Sequence, residues 1–271
     1  MRGSGRDSAL EALLHSAVEE HQGKVAVHAA DLRAGAWAAI DADALVPAAS
    51  TIKLAILHHA LTAIHAGSAR LDETLTLTPE NQVEGSGVLL FFDTPLTLTL
   101  KDALTMMIVV SDNSATNLVI DRFGIEAINA GMRTIGLRET TLYKKVFAPS
   151  HETMPPEQPR FGLGKTTARE MTELMRRLTS EPARSESALP MLLNQSDREG
   201  IPRYLGKHRV ASKSGAVDAS RSDVGLVYAP NGPIIISIFT YENADRSWTP
   251  DNAGGLLIAR LAQTIVERWS A

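Results

Sequence analysis

Three short runs carry residue types able to do covalent chemistry. In "PAASTIKLAIL", residues 47–57, Ser50 and Lys53 stand three residues apart at the start of an apolar segment. At helical spacing two such side chains share a face. A serine hydroxyl is a weak nucleophile until a base takes its proton. A lysine amine becomes such a base where burial disfavours its charged form. At a helix N-terminus, Ser50 would also lie beside backbone N–H groups that stabilise developing negative charge. The plainer reading of the pair is a helix cap and a lysine reaching to solvent. Against it, this is the only S-x-x-K in the chain and it falls in the most apolar helical segment, where a lysine is costly without a purpose. "VVSDNSA" sets Ser111, Asp112 and Asn113 at a break after apolar residues, and "ASKSGAV" sets Lys213, Ser214 and Gly215 in a strand. Alone, the first reads as an N-cap cluster and the second as a bulged strand, although the glycine also admits close approach of a ligand.

The elements that must hold these residues follow from periodicity. Residues 8–21 form an amphipathic helix with Leu10, Leu13, Leu14 and Val18 on one face. "GKVAVHAADLRAGAWAAID" gives two strands around a turn at Ala34-Gly35. A helix apolar nearly all round runs from about Ser50 to Ala66 and stops at Gly67. Thr99 and Asp102 make a capping box for the next helix, and the segment from Ser111 restarts one that ends at Gly124. "APSHETMPPEQPRFG" is loop, "TTAREMTELMRRL" helix. Three strands, "HRVASKSGAV", "SDVGLVYA" and "GPIIISIFTY", precede a closing helix, "GGLLIARLAQTIVERW". Strands at both ends and helices between predict a mixed α/β fold. Its expected form is a five-stranded antiparallel sheet, flanked by the terminal helices, with an all-helical region inserted. The division is 1–48 with 196–271 for the sheet domain and 49–195 for the helical one, the site lying in the cleft between them.

Composition excludes several classes. With 271 residues, a net charge of −4 and 44% hydrophobic residues, the chain suits a compact globular protein of one large domain or two smaller ones, and nothing calls for nucleic acid or an anionic membrane. No cysteine is present, so thiolate and disulfide chemistry are out. No run is apolar enough to span a bilayer, and "MRGSGRDS" lacks the apolar core of a signal peptide. "FGLGKTT" ends like a phosphate loop, but Pro159 stands where the first glycine is required. His58, His59 and His65 lack metal-site spacing, so no metal or cofactor is expected. Phe91 and Phe92 could flank a site mouth or simply pack.

S-x-x-K, then S-D-N, then K-[ST]-G, in that order, is the signature of the penicillin-recognising serine enzymes. The chain resembles class A β-lactamases and penicillin-binding D-alanyl-D-alanine peptidases. The resemblance runs through "LVPAASTIKLAIL", "GSGVLL", "LTLKDALTMMIVVSDNSATNLVIDRFG", "KTTAREM" and "KSGAVDASRSDVGLVY". It implies that Ser50 is acylated, that Lys53 is its proton partner and that Ser111 relays a proton to the leaving nitrogen. It gives Asn113 the substrate's side-chain amide, Lys213 and Ser214 the carboxylate, and Arg221 a second hold on that carboxylate. The oxyanion hole would be the N–H groups of Ser50 and Ala216, beside Gly215. It further implies a small-molecule substrate, a β-lactam or acyl-D-Ala-D-Ala compound, a monomer, and a periplasmic or secreted location.

One part is missing. Class A enzymes carry a deacylating glutamate in E-x-x-L-N, which this chain lacks. Counting back from Thr166-Thr167 reaches His151 and Glu152; aligning forward through "TTLYKKVF" reaches Phe147. Glu152 and Glu157 are the candidate bases, against a plain reading as a solvated acidic loop. Without a base the acyl-enzyme persists. The expected activities are therefore β-lactam hydrolysis of doubtful efficiency, a D-alanyl-D-alanine carboxypeptidase or esterase on the same scaffold, or a penicillin-binding sensor that acylates once.

Overall fold

The computed structural model describes residues 4–150, 154–206 and 208–271. The chain enters through a two-residue strand, β1 (Gly5–Arg6), and the helix α1 (Ser8–Val18), whose N-cap Asp7 accepts from Leu10 N. Strands β2 (Lys24–Asp31) and β3 (Ala36–Ile40) form the expected hairpin. The short β4 (Val46–Pro47) leads to a 3₁₀ turn, Ala49–Ile52, and then to α2 (Lys53–His65). Next come β5 (Thr74–Leu77), β6 (Leu96–Thr99), α3 (Leu100–Val109), α4 (Asn113–Phe123), α5 (Ile125–Thr134), β7 (Thr141–Leu142), α6 (Gln158–Phe161), β8 (Gly164–Thr166), α7 (Ala168–Ser180) and α8 (Pro182–Leu193). The meander β9 (Val210–Val217), β10 (Ser220–Ala229), β11 (Gly232–Tyr241) and the helix α9 (Ala253–Ser270) close the chain.

The sheet runs β1-β3-β2-β11-β10-β9. Five strands are antiparallel as expected. The sixth, β1, adds a two-residue parallel edge to β3, and two residues carry no periodicity for sequence reasoning to catch. Adjacency of β2 and β11 joins the first and last thirds of the chain in one ladder, Val27 opposite Ile238. On the outer face, Leu10 and Leu14 of α1 and Leu257, Leu261, Ile265 and Trp269 of α9 bury against Val27, Ile236 and Ile238. The inner face contributes Ala26, Ala211, Val224, Ile235 and Phe239 to a second core that continues through α2, α3, α4, α7 and α8. Sheet and helical layer therefore share one apolar contact.

Two expectations change. The middle of the chain is not all helical: β5 pairs with β6, and β4, β8 and β7 form a small second sheet. The cause is visible in "TLTL" and "LTLT", short alternating runs that pair with each other where a helix would need a longer stripe. The expected helix from Ser50 begins as the 3₁₀ turn, and its α-helical part starts at Lys53. The reason it is apolar all round is as expected: Leu54, Ile56, Leu57 and Leu61 are all buried, each worth about 1.5–3 kcal/mol. The capping box of Thr99 and Asp102 is present on α3, and α3 and α4 are separated at Val110–Asp112. No helix among the described residues is long and apolar enough to cross a membrane.

Candidate active site

The 3₁₀ turn is made by Ala49, a non-glycine residue at φ +47°, a conformation held only where the surroundings dictate it. Thr51 Oγ1 locks the turn by donating to Ala48 O at 2.6 Å. Ser50 is left half-buried, and its hydroxyl makes no hydrogen bond to the described residues. Lys53 is fully buried. Its Nζ donates to Ser111 O at 2.7 Å, Ser111 Oγ at 3.1 Å and Asn113 Oδ1 at 3.1 Å. The amine thus bridges to the start of α4, and no hydrogen bond joins it to Ser50 Oγ.

Ser111 sits at φ +55°, in the break between α3 and α4. Asp112 fixes this break from beneath. Its Oδ1 caps Ala115 N, while Oδ2 accepts from Val88 N at 2.7 Å and Leu89 N at 2.9 Å. The "GSGVLL" segment is thereby tied to the Ser111 corner, and Asn113 completes the tie by donating Nδ2 to Glu84 O. Glycines are required there: a Cβ on Gly85, at φ +88°, would stand 2.7 Å from Asn113 Nδ2, and one on Gly87 would stand 2.2 Å from Asp112 Oδ2. The second N–H of the Asn113 amide has no partner among the described residues. Phe91 ends a 3₁₀ turn (Leu89–Phe91) hung from the same corner, Phe92 follows it, and both rings are exposed.

Strand β9 closes the other side. A Cβ on Gly215 would lie 3.0 Å from Ser50 N and 2.7 Å from Ser222 Oγ, so only glycine leaves the Ser50 amide open beside this strand. Ala216 N belongs to the exposed end of β9. Lys213 is fully buried, and among the described residues its Nζ donates only to Ser214 O, at 2.7 Å. An ammonium with donors to spare suits an anionic ligand. Ser214 is half-buried beside it.

The two buried lysines differ in how strongly their charged forms are disfavoured. Burial, then the Lys213 charge, holds the Lys53 amine well below the ordinary lysine value, Asp112 opposing. Lys213 falls to about 8 through burial, with Asp223 and Asp197 keeping it from falling further. So at neutral pH Lys213 is the cation, and Lys53 is biased towards a free amine. Ammonium would donate to all three of its acceptors. A neutral amine has two N–H groups, so one contact must reverse, and of the three only Ser111 Oγ can donate. That reversal connects Lys53 to Ser111 as a proton path.

Not every candidate joins the site. Arg221 donates Nη1 to Val217 O, Asp218 O and Ser220 O and Nη2 to Ser247 O, and it lines the cavity beside Ser214–Ala216. Glu157 accepts from Tyr143 OH at 3.2 Å and lies 3.8 Å from Lys165 Nζ. Glu152 lies outside the described residues. At the position reached from "TTLYKKVF", Asn117 pins the loop by accepting from Val146 N and donating to Val146 O. The next residue, Phe147, at φ +59°, sets its ring 3.1 Å from the Cβ position of Gly85, beside Asn113. Sequence reasoning missed Asp223, fully buried on β10 opposite Ser214, with Oδ2 accepting from Ile201 N and Oδ1 without a hydrogen-bond partner among the described residues. Burial raises it to about 7. A carboxyl inside the apolar run "SDVGLVY" was the available signal. His58, buried with Nε2 unpartnered, is driven by burial and the nearby Arg184 to about 3, and no group of His, Asp and Glu able to hold a metal occurs among the described residues.

The whole chain is similar to solved structures. A β-lactamase from Sphaerobacter thermophilus shares 28% identity over 97% of each chain, with a TM-score of 0.84. The structure of PBP-A shares 23% identity over 99% of this chain and 98% of that one, with a TM-score of 0.85; an ancestral class A β-lactamase shares 24% over 96% and 99%, with a TM-score of 0.83. Among curated proteins none matches. A family model described as the beta-lactamase enzyme family matches residues 7–269, nearly the full length of the fold described above, and by that match the chain belongs to the beta-lactamase enzyme family.

Proposed function

We propose that the protein is an active-site-serine hydrolase of the class A type, acylated by β-lactams at Ser50 and slow to release the acyl group. The observation that carries this reading is Lys53: a fully buried amine, held between Ser111 and Asn113, whose charged form burial and Lys213 disfavour. In the proposed reaction Ser50 Oγ attacks the lactam carbonyl while Lys53 takes its proton. The N–H groups of Ser50 and Ala216 receive the developing oxyanion. The carbonyl C–N bond breaks, and the proton passes from Lys53 through Ser111 Oγ to the leaving nitrogen. Asn113 takes the acyl side-chain amide; Lys213 and Ser214 take the carboxylate. Arg221, which lines the cavity beside Ser214 and Ala216, is the candidate second hold on that carboxylate.

Hydrolysis of the ester then needs a base for water. Phe147 supplies none, and Glu157 is engaged by Tyr143 and Lys165. This favours, on the same site, a D-alanyl-D-alanine peptidase or esterase whose own substrates turn over by another water path. The test is intact-mass measurement after mixing with benzylpenicillin. One penicilloyl adduct on the wild-type protein and none on Ser50→Ala supports the assignment. Labelling that survives Ser50→Ala refutes it.

A further inference from the structure

The end of α3 leaves two carbonyls without helical partners, and the residues that take them stand 87 positions further along the chain. In a continued helix, Ile108 O and Val109 O would accept from the N–H groups of residues 112 and 113. Instead Asp112 N turns back to Met106 O at 3.0 Å, and Asn113 N leaves for Ser86 O at 3.0 Å. A buried carbonyl left alone is costly. Gln195, itself buried, donates Nε2 to Ile108 O at 2.8 Å. Ser196 donates N to Val109 O at 2.9 Å and Oγ to the same oxygen at 2.8 Å.

An amide side chain suits this position, because it donates at one end and accepts at the other. Gln195 Oε1 accepts from Asp197 N at 3.0 Å, so both ends are committed and the side chain has one orientation. Its own backbone is fixed by the end of α8, where Gln195 N donates to Leu192 O.

Such a cap would be ordinary at most helix ends. Here Val109 lies two residues before Ser111, whose φ of +55° persists only where the surroundings impose it. In that conformation Ser111 O and Ser111 Oγ both meet the Lys53 amine, at 2.7 and 3.1 Å. Asp112 and Asn113 tie the downstream side of this corner to Val88, Leu89 and Glu84. Gln195 and Ser196 hold the upstream side.

We propose that Gln195 is a positioning residue for the proton path: it holds the end of α3 so that Ser111 Oγ lies between Lys53 and the leaving nitrogen. The inference rests on the acylation reading above. Gln195 serves the step in which the carbonyl C–N bond breaks and the proton taken by Lys53 passes through Ser111 Oγ to that nitrogen.

The test compares two substrates with the same phenylacetyl side chain. The nitrogen of benzylpenicillin must be protonated as it leaves. A carboxy-nitrophenyl ester of phenylacetylglycine releases its nitrophenolate without a proton. The rate of Ser50 acylation at saturating substrate is measured for each on wild type, Gln195→Ala, Ser111→Ala and the double variant, beside a thermal melt. Gln195→Met, of similar length and without donors, takes the place of the alanine variant if that one does not fold. The expected result is a loss of about 10- to 100-fold for benzylpenicillin in Gln195→Ala, the scale of a displaced reacting group, and less than about threefold for the ester. In the Ser111→Ala background the same change should cost less than about twofold, because the two residues act as one unit. Equal slowing of both substrates, no slowing of either, or full additivity with Ser111→Ala overturns the role of Gln195 and leaves the acylation reading standing. No acylation of the wild type by benzylpenicillin overturns both.

Discussion

Replacing Lys53 by methionine removes the proposed base and keeps the shape. Methionine is unbranched and of similar length, so the packing within α2 is retained. The loss is the amine at the centre of three contacts. General-base assistance is worth roughly 10²- to 10⁴-fold, or about 3–5 kcal/mol of barrier. Stability moves less. Ser111 O and Asn113 Oδ1 each lose a donor, at about 1–3 kcal/mol apiece; removing a buried ionisable group works in the other direction. For a chain of this size, each net kcal/mol shifts the melting temperature by roughly 2–4 °C. The assay is the rate of penicilloyl adduct formation by quenched intact-mass measurement, beside a thermal melt of the same sample. Adduct formation slowed a hundredfold or more in a variant that still melts cooperatively is the expected outcome. Adduct formation within tenfold of wild type would refute the role given to Lys53.

Lys213, with a value of about 8, is charged below that pH and neutral above it, so apparent affinity for carboxylate-bearing β-lactams should fall as pH rises from 8 to 9.5, by up to about tenfold per unit; a flat profile removes Lys213 from carboxylate binding. Phe147→Glu places a carboxylate beside Gly85 and Asn113 and should shorten the acyl-enzyme lifetime by at least about tenfold, measured as decay of the adduct mass; an unchanged lifetime would show that residue 147 does not face the ester. Gly215→Ala would set a methyl 3.0 Å from Ser50 N and should cut acylation by about 10²-fold or more while the fold survives; normal acylation would place the oxyanion donors elsewhere. Burial holds His28 near 4 and His58 near 3, both below the ordinary 6.5, so they stay neutral in the fold. Their contribution is full above pH 6.5 and is lost as pH falls towards 4, at up to about 1.4 kcal/mol per unit for each ring; chemical denaturation at pH 7 and pH 5 reads it.

The candidate residues were legible because each lies in a run whose neighbours betray its setting. Lys53 stands in an apolar helix, the Ser111–Asn113 corner follows a buried helix end, and Lys213 precedes the one glycine that lets β9 approach Ser50. The sheet was legible from alternation in its long strands. What escaped depended on contacts between distant segments. β5 and β6 are four residues each and become strands only by pairing with one another. The bonds of Arg221 to the hairpin carbonyls and to Ser247 O join segments that no spacing announces. Glu157 was a reasonable base by loop position, but Tyr143 and Lys165 meet it there.

The most direct test follows benzylpenicillin and the protein together, recording intact mass and product release over the same hours. A single adduct on Ser50 that forms promptly and persists, with product no faster than adduct decay, is the result expected from Lys53 present and a base absent. Rapid turnover with no trapped adduct, or no adduct at all, would contradict it.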